Sequence, residues 1–497
     1  MVDIMGQMLQ KTKCRKLKGK ESLRIKKTIL LLTGMMLSSS LLAASNWKIQ
    51  PLLTVSESYN DNLTLTSTGV KIDDYITTIS PLISVNVDSR RLKFDGRYQA
   101  QGLIYGSEDQ YNTIFHQLQA NGTATLVKDL FFVNSSATYS QQNINQTAAV
   151  SFDNISITNN RTNVGTARLN PYLKFKFGNS SNLLVSVDKG VVRYSGVLRD
   201  SDTSNYQVKL DSGANFNKLL WNVYYSRNDV QTDFLADTKF EKIGAGIEYK
   251  LNRQFAVTAT GGYDDNTYIR AATTQNPVNQ SSWTAGVKWT PSIRTTVEAG
   301  VSSNYFSDSG YLKLSNKARR ITSSLSYIED VTVLALNQYN TGAFSQFSSS
   351  STANATAASN NIDVSLPGVT GETYVRKRLQ GNLSFKTAKS RLSASIYDER
   401  RQYQSNDQKE RVYGGSANFD WKFALRTSLN LSARGQVQDL RASTRKDGLL
   451  RVRLGVTRDM RSNLQGSVSV VHNRRDSNAN ANDYNQNTVT VSIIWKI

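Results

Sequence analysis

The chain has 497 residues, 39% of them hydrophobic, 9% aromatic and 20% charged, with 60 Lys and Arg against 39 Asp and Glu. A mean hydropathy of −0.43, with no mature stretch near the roughly 20 apolar residues that a spanning helix needs, excludes a bundle of membrane helices. A soluble chain of this length would divide into several domains, yet 6 Pro and the lack of a long charge block leave no linker to divide it.

Residues 1–44 read as a secretory signal peptide and 45–497 as one outer-membrane β-barrel. The basic run Lys11, Lys13, Arg15, Lys16, Lys18, Lys20, Arg24, Lys26 and Lys27 precedes TILLLTGMMLSSSLLAA. That apolar stretch is short for a span and leads into small residues, so cleavage is expected near Ala44. The single cysteine, Cys14, lies in this leader, so the mature chain has no disulfide, thiol ligand or lipid-modified cysteine. Nine basic and two acidic residues leave with it, so 51 basic face 37 acidic residues and the mature charge is +14. Export also removes nucleic acid as a partner despite a pI near 9.8.

From Trp47 onward the chain is a series of alternating segments. In LKFDGRYQAQG, Leu92, Phe94, Gly96, Tyr98 and Ala100 share one parity, and Lys93, Asp95, Arg97, Gln99 and Gln101 the other. FEKIGAGIEYKL sets Ile243, Ala245, Ile247 and Tyr249 against Lys242, Gly244, Glu248 and Lys250, and TSLNLSARGQVQ repeats the rule from Leu429 to Val437. A two-residue period is that of a strand with one apolar face.

Tight-turn sequences recur at Asp88 to Arg90, Lys128-Asp129, Gly178 to Ser181, Asn217-Lys218 and Asn252-Arg253. They continue at Pro291-Ser292, Glu329-Asp330, Thr387 to Ser390, Ala424 to Arg426 and Arg458 to Ser462. Ten turns join ten pairs, and one more strand at each end gives about 22, within a range of 18 to 24. Each interval between turns holds two long strands, whereas a propeller blade would pack four short ones into it. The longer connections include Gln142 to Asn160, Ala271 to Gln280, Asp476 to Tyr484 and, longest, Ser345 to Gly371. Short periplasmic turns and longer extracellular loops are the asymmetry of a transmembrane antiparallel up-and-down barrel. The Ser345 to Gly371 loop either lies outside or folds inward and narrows the pore. With Lys48 already in the first strand, no plug domain is expected ahead of it.

Aromatic residues gather where two membrane interfaces are expected. Trp47, Trp221, Trp289, Trp421 and Trp495 lie near tight turns or termini. At the opposite strand ends stand Tyr59, Tyr75, Tyr105, Tyr139, Tyr194, Tyr206, Tyr268, Tyr305, Tyr311, Tyr374, Tyr403 and Tyr484. The last ten residues, TVTVSIIWKI, alternate from Thr488 to Ile497 with only Ile494 out of pattern. Such a strand is an aggregation hazard at an open edge and a natural closing strand in a barrel.

The phrases WKIQPLLTVSESYNDNLTL, DDYITTISPLISV, FHQLQANGTATLV and NISITNNRTNV resemble the outer-membrane barrel family associated with PEP-CTERM/exosortase exopolysaccharide systems. The resemblance covers most of the mature chain and consists of strand and turn phrases rather than a catalytic signature. It implies a porin-like Gram-negative protein linked to polysaccharide production or export, with no functional residues to carry over. The C-terminus departs from the usual assembly signal, which ends in Phe or Trp, because Ile497 is last here.

No nucleophile elbow, phosphate loop or metal-ligand cluster stands in the sequence, so no enzyme, cofactor or metal is expected. The two histidines, His116 and His472, sit on apolar parities. Asp61, Asp264-Asp265 and Asp398-Glu399 near outer strand ends are candidates for calcium, although loop acids are usually only solvated. Lys93, Arg97, Arg168, Lys174, Lys176, Arg376, Arg378, Lys386, Arg434, Arg451 and Arg453 fall on the polar parity and are expected to line a lumen that favours anions. A second set, Arg270, Arg400, Arg401, Arg441, Arg445, Lys446, Arg474 and Arg475, is expected at the outer rim, gripping lipopolysaccharide phosphates. Expected partners are therefore outer-membrane lipid and lipopolysaccharide, the assembly machinery and an anionic polysaccharide. A general diffusion porin is the alternative function, followed by a loop-based adhesin or an outer-membrane enzyme.

Overall fold

The structure is a computed structural model that describes residues 46–67, 71–196, 198–271, 278–336, 371–440, 444–479 and 482–497. The leader at 1–44, Arg441 and nearly all of the 345–371 loop lie outside the described residues. Among those described, 22 strands form one sheet. They are β1 Asn46–Asn60, β2 Asp74–Asp88, β3 Leu92–Tyr105, β4 Thr113–Val127, β5 Phe131–Asn143, β6 Arg161–Phe177, β7 Ser181–Tyr194 and β8 Ser201–Ser212. There follow β9 Leu219–Thr232, β10 Thr238–Lys250, β11 Phe255–Thr267, β12 Asn279–Ser292, β13 Thr295–Asn304, β14 Ser307–Lys317 and β15 Ile321–Val333. The series ends with β16 Thr373–Lys386, β17 Ser390–Tyr403, β18 Lys409–Ala424, β19 Thr427–Asp439, β20 Lys446–Asp459, β21 Leu464–Ser477 and β22 Tyr484–Lys496.

Each strand pairs antiparallel with its neighbours in sequence, and Leu52 to Asn60 of β1 pair with Lys496 to Thr488 of β22. The closing strand read from the C-terminal alternation thus removes both edges of the sheet at once. Ile494, the residue out of pattern, is inward-facing and only 1% exposed.

One predicted turn is misplaced. Glu329-Asp330 lies inside β15, and the chain reverses instead just before it, where the Ala318 amide donates to the Ile321 carbonyl at 2.8 Å. The two acids mimic a turn but are matched across β16, Asp330 by Arg376 and Glu329 by Lys377. The real turn, Ala318-Arg319-Arg320, carries none of the Gly, Pro, Asn or Asp that usually mark one. In addition, β13 and β14 have 10 and 11 residues and join through Tyr305-Phe306, so this hairpin is shorter than its neighbours.

Side chains alternate between two unlike faces. Ile49, Ile83, Ile114, Val223, Ile243, Val287, Ile396 and Val491 stand exposed on the outer face. An apolar surface on this scale is stable only when covered, and a closed barrel offers it to lipid. Residues one position away face inward and are mostly Asn, Gln, Ser, Thr and charged groups. Around β9 to β14 the inner wall carries glycines overlaid by tyrosine: a Cβ on Gly244 would stand 2.6 Å from Tyr224 Oη, and one on Gly286 would meet the Tyr311 hydroxyl. The rings lie along the wall instead of projecting across the lumen, an aromatic cover for strand glycines.

Candidate functional site

The candidate site is the lumen. All eleven cations predicted to line it occupy inward positions of their strands, as the cross-strand register requires. Several are matched by acids on the next strand. Arg376 makes a two-pronged contact with Asp330, Nε to Oδ1 at 2.9 Å and Nη2 to Oδ2 at 2.6 Å. Arg378 Nη1 donates to Glu399 Oε2 at 2.7 Å, and Arg168 Nε to Asp188 Oδ2 at 2.8 Å. Lys93 lies 4.0 Å from Asp88, both well exposed, a pairing that water screens heavily.

Towards the turn end, Lys174 Nζ lies 5.3 Å from the ring centres of both Phe132 and Tyr172, which stack 5.1 Å apart. Lys176 and Lys386 are exposed further down. On β19 and β20, Arg434 stands directly opposite Arg451, with Arg453 two residues on.

The outer end of the lumen is narrowed by connections that turn inward. The β5–β6 connection, 144–160, is fastened to inward side chains across the barrel. Arg475 donates from Nη1 to the Ala148 carbonyl at 2.5 Å and from Nη2 to the Gln146 carbonyl at 2.9 Å. Tyr484 Oη donates to the Val150 carbonyl at 2.8 Å and Tyr105 Oη to the Ile155 carbonyl at 2.7 Å. Asn154 Nδ2 donates to Gln101 and Gln141, both at 3.0 Å.

Apolar contacts fix the same connection. Val150 and Phe152 pack on Leu449, while Ile155 and Ile157 pack on Leu63, Ile76, Leu103 and Tyr105. Burying side chains of this size is worth about 1.5 to 3 kcal/mol each, so the connection is held as part of the fold.

Two further crossings close in from the other side. Val333, Ala335 and Leu336, at the root of the β15–β16 connection, pack on Val164, Val192 and Val230 of β6, β7 and β9. The Ala271 amide donates to the Gln404 carbonyl at 2.7 Å, joining the β11–β12 and β17–β18 connections. Sequence reasoning missed the inward 144–160 connection, although its Val150, Phe152, Ile155 and Ile157 are apolar residues that an outward loop would expose.

The five predicted interface tryptophans stand on outward positions near the turn end of the barrel. Trp47, Trp289, Trp421 and Trp495 are 42–47% exposed, and Trp221 is half-buried against Phe216. The tyrosines at the other end do not form one outward belt. Tyr59 and Tyr75 face out, but Tyr105, Tyr374, Tyr403 and Tyr484 are buried on the inward parity, where the Tyr105 and Tyr484 hydroxyls donate to inward-folded backbone and the Tyr403 hydroxyl to Glu410.

The predicted basic rim divides in the same way. Arg400, Lys446 and Arg474 have exposed side chains, whereas Arg401 and Arg475 are 3% and 1% exposed. Arg401 lies between Glu399 and Glu410, and Arg475 is bound to Asp447, so neither guanidinium reaches the rim.

No protein-family model matches this chain, and no curated protein does. Solved structures resemble it in shape. The siderophore receptor PirA from Acinetobacter baumannii aligns with 90% of this chain and 80% of its own at 9% identity and a TM-score of 0.48. PirA from Pseudomonas aeruginosa aligns over the same shares at 11% identity and 0.42. OccAB3 from Acinetobacter baumannii aligns with 91% of this chain and 99% of its own at 8% identity and 0.33.

The remaining candidates are engaged in ordinary contacts. His116 Nδ1 is 2.8 Å from Tyr98 Oη and His472 Nδ1 is 2.8 Å from Asn487 Oδ1, both on the outward face. Among the described residues no three His, Cys, Asp or Glu groups converge on a metal position. Asp61 accepts from the Asn487 amide at 2.7 Å, and Asp264 lies 3.4 Å from Lys242.

Proposed function

We propose that the chain is a non-enzymatic outer-membrane barrel that acts as a conduit or structural component in exopolysaccharide production or export. The observation that carries the reading is the contrast between the two faces of one closed wall. Apolar side chains face out all the way round, while cations, amides and hydroxyls face in. Lipid suits the first surface and a hydrated, hydroxyl-rich chain the second. Outer-membrane lipid would then meet the tryptophan-bearing end at one interface, lipopolysaccharide phosphates would meet Arg400, Lys446 and Arg474 at the other, and the assembly machinery would insert the chain. The phrases resembling the exopolysaccharide-associated barrels supply the substrate class.

The inward connections favour a selective conduit over a general diffusion porin, because they narrow the outer mouth from more than one side. Comparing secreted polysaccharide from intact and deleted strains tests the reading. Loss of secreted polymer with normal uptake of small solutes is expected. Normal polymer with impaired small-solute uptake would replace the conduit with a diffusion porin.

A further inference from the structure

We propose that the inner wall from β9 to β14 holds a saccharide-binding platform, on which the rings of Tyr224 and Tyr311 stack against the C–H faces of a pyranose chain while two rows of ionic side chains take its hydroxyls. The inference rests on the conduit reading and deepens it by placing a site for the polymer on one stretch of wall.

The floor of the platform is backbone. Gly244, Gly262, Gly286 and Gly300 stand at inward positions of β10, β11, β12 and β13, so no side chain rises from those points. With strands about 4.8 Å apart the floor is roughly 14 Å wide, room for a short run of sugar rings.

Two tyrosines lie down on this floor from opposite edges. Tyr224 pairs with Gly244 across β9 and β10, and Tyr311 with Gly300 across β13 and β14. A Cβ on Gly244 would stand 2.7 Å from Tyr224 Cζ, and one on Gly300 would stand 2.6 Å from Tyr311 Cε1. Each ring therefore turns one face to the wall and the other to the lumen, and both residues are half-buried. The face of an aromatic ring carries the negative part of its quadrupole and attracts the weakly positive hydrogens of a C–H surface. A pyranose with equatorial hydroxyls presents such a surface on each side of its ring. Because the tyrosines are already flattened, a ligand meets them without first having to order them.

The hydroxyls of such a sugar leave from its edge, and the wall supplies partners one inward step from each tyrosine. Beside Gly244, Lys242 Nζ donates to Asp264 Oδ2 at 3.4 Å and to Ser282 Oγ at 2.9 Å. Beside Gly286 and Gly300, Lys288 Nζ donates to Glu248 Oε2 at 3.2 Å and lies 3.8 Å from Glu298 Oε1, while Glu298 stands opposite Lys313. Pairing holds these groups in place without exhausting them, since a carboxylate accepts about four hydrogen bonds and an ammonium donates three. Acids and cations balance within each row, so the platform suits hydroxyls rather than a free anion.

The test is calorimetric titration of the detergent-solubilised full barrel with cellohexaose, a neutral chain of equatorial pyranoses, and with mannitol, which carries similar hydroxyls but no ring face. Cellohexaose should bind and mannitol should not. Tyr224→Leu with Tyr311→Leu should weaken binding by about tenfold, the worth of two aromatic contacts, and Tyr224→Phe with Tyr311→Phe should recover most of it. Glu298→Gln, which keeps both rings, should weaken binding several-fold. Since the leucine pair uncovers the glycines and may not assemble, saturation-transfer NMR on the unaltered barrel gives a second readout: irradiated aromatic protons should pass magnetisation to the C–H protons of bound cellohexaose. No binding of cellohexaose, equal binding of mannitol, no transfer, or full affinity in the leucine pair overturns the platform. A deletion strain that still secretes polymer while the barrel binds cellohexaose would sink the conduit reading and leave the platform standing, and lost secretion without binding would do the reverse.

Discussion

Arg475 and Asp447 meet at 2.5 Å on the inner wall, with side chains 1% and 3% exposed, and the same guanidinium holds the carbonyls of Ala148 and Gln146. One cation therefore ties two adjacent strands to the connection that narrows the mouth. Replacing it, Arg475→Ala, removes both carbonyl contacts. Breaking a buried pair costs about 3 to 5 kcal/mol, and the lower end applies here because Asp447 keeps Arg445 at 3.0 Å through both oxygens. The barrel should stay folded while the 144–160 connection loosens. Single-channel conductance in planar bilayers should rise, and an unchanged conductance would place the narrowest point elsewhere.

Ile396 and Ser395 separate the two faces by a single residue on β17. Ile396 is 61% exposed on the outside, and Ser395 Oγ lies 2.8 Å from Ser416 Oγ on the inside. Ile396→Arg should destabilise the barrel by roughly 2 to 4 kcal/mol, the penalty of a guanidinium near the midplane of a bilayer. Ser395→Arg should be tolerated, since it adds one more cation to a wet wall. Resistance of the folded band to heating in detergent gels distinguishes them. Equal behaviour would mean that lipid does not cover the outer face.

The β14–β15 turn gives a test of topology. A short epitope inserted between Arg319 and Arg320 falls in a three-residue turn, where the Lys386 amide donates to the Arg320 carbonyl at 2.8 Å on the neighbouring strand. The same epitope between Glu329 and Asp330 interrupts β15 and separates the cross-strand pairs to Lys377 and Arg376. The first insertion should assemble and stay hidden from antibody on intact cells. The second should fail to assemble.

These residues also mark how far the sequence could be read. Alternation fixed which side chains face lipid, because a period of two is a local property that any strand displays. Closure was legible from the C-terminal segment for the same reason. The misplaced turn arose because Glu329 and Asp330 look like turn residues until their partners on β16 are known, and those partners are about 50 residues away. Inward folding of 144–160 was hidden by a similar cause: Arg475, Tyr484 and Leu449, which hold it, come some 300 residues later. The buried Arg401 illustrates the limit of parity itself, which assigns a side to a residue but not a depth or a partner.

The positive wall near the turn end should be measurable as ion selectivity. Lys174 and Lys176 project inward two residues apart on β6, and Lys174 rests against the Phe132 and Tyr172 rings rather than a carboxylate. Cations held this way keep their field, unlike Arg376, whose charge Asp330 offsets across the sheet. In a potassium chloride gradient the purified barrel should therefore reverse on the anion-preferring side. Charge reversal at both positions, Lys174→Glu with Lys176→Glu, should lower the anion-to-cation permeability ratio by about twofold or more, as rings of lumen charge do in other pores. Arg376→Gln, which leaves Asp330 unpaired, should shift the ratio the same way and also lower stability. Cation preference in the unmodified barrel would end the claim, since it would mean that the inward acids, not these lysines, set the potential along the path.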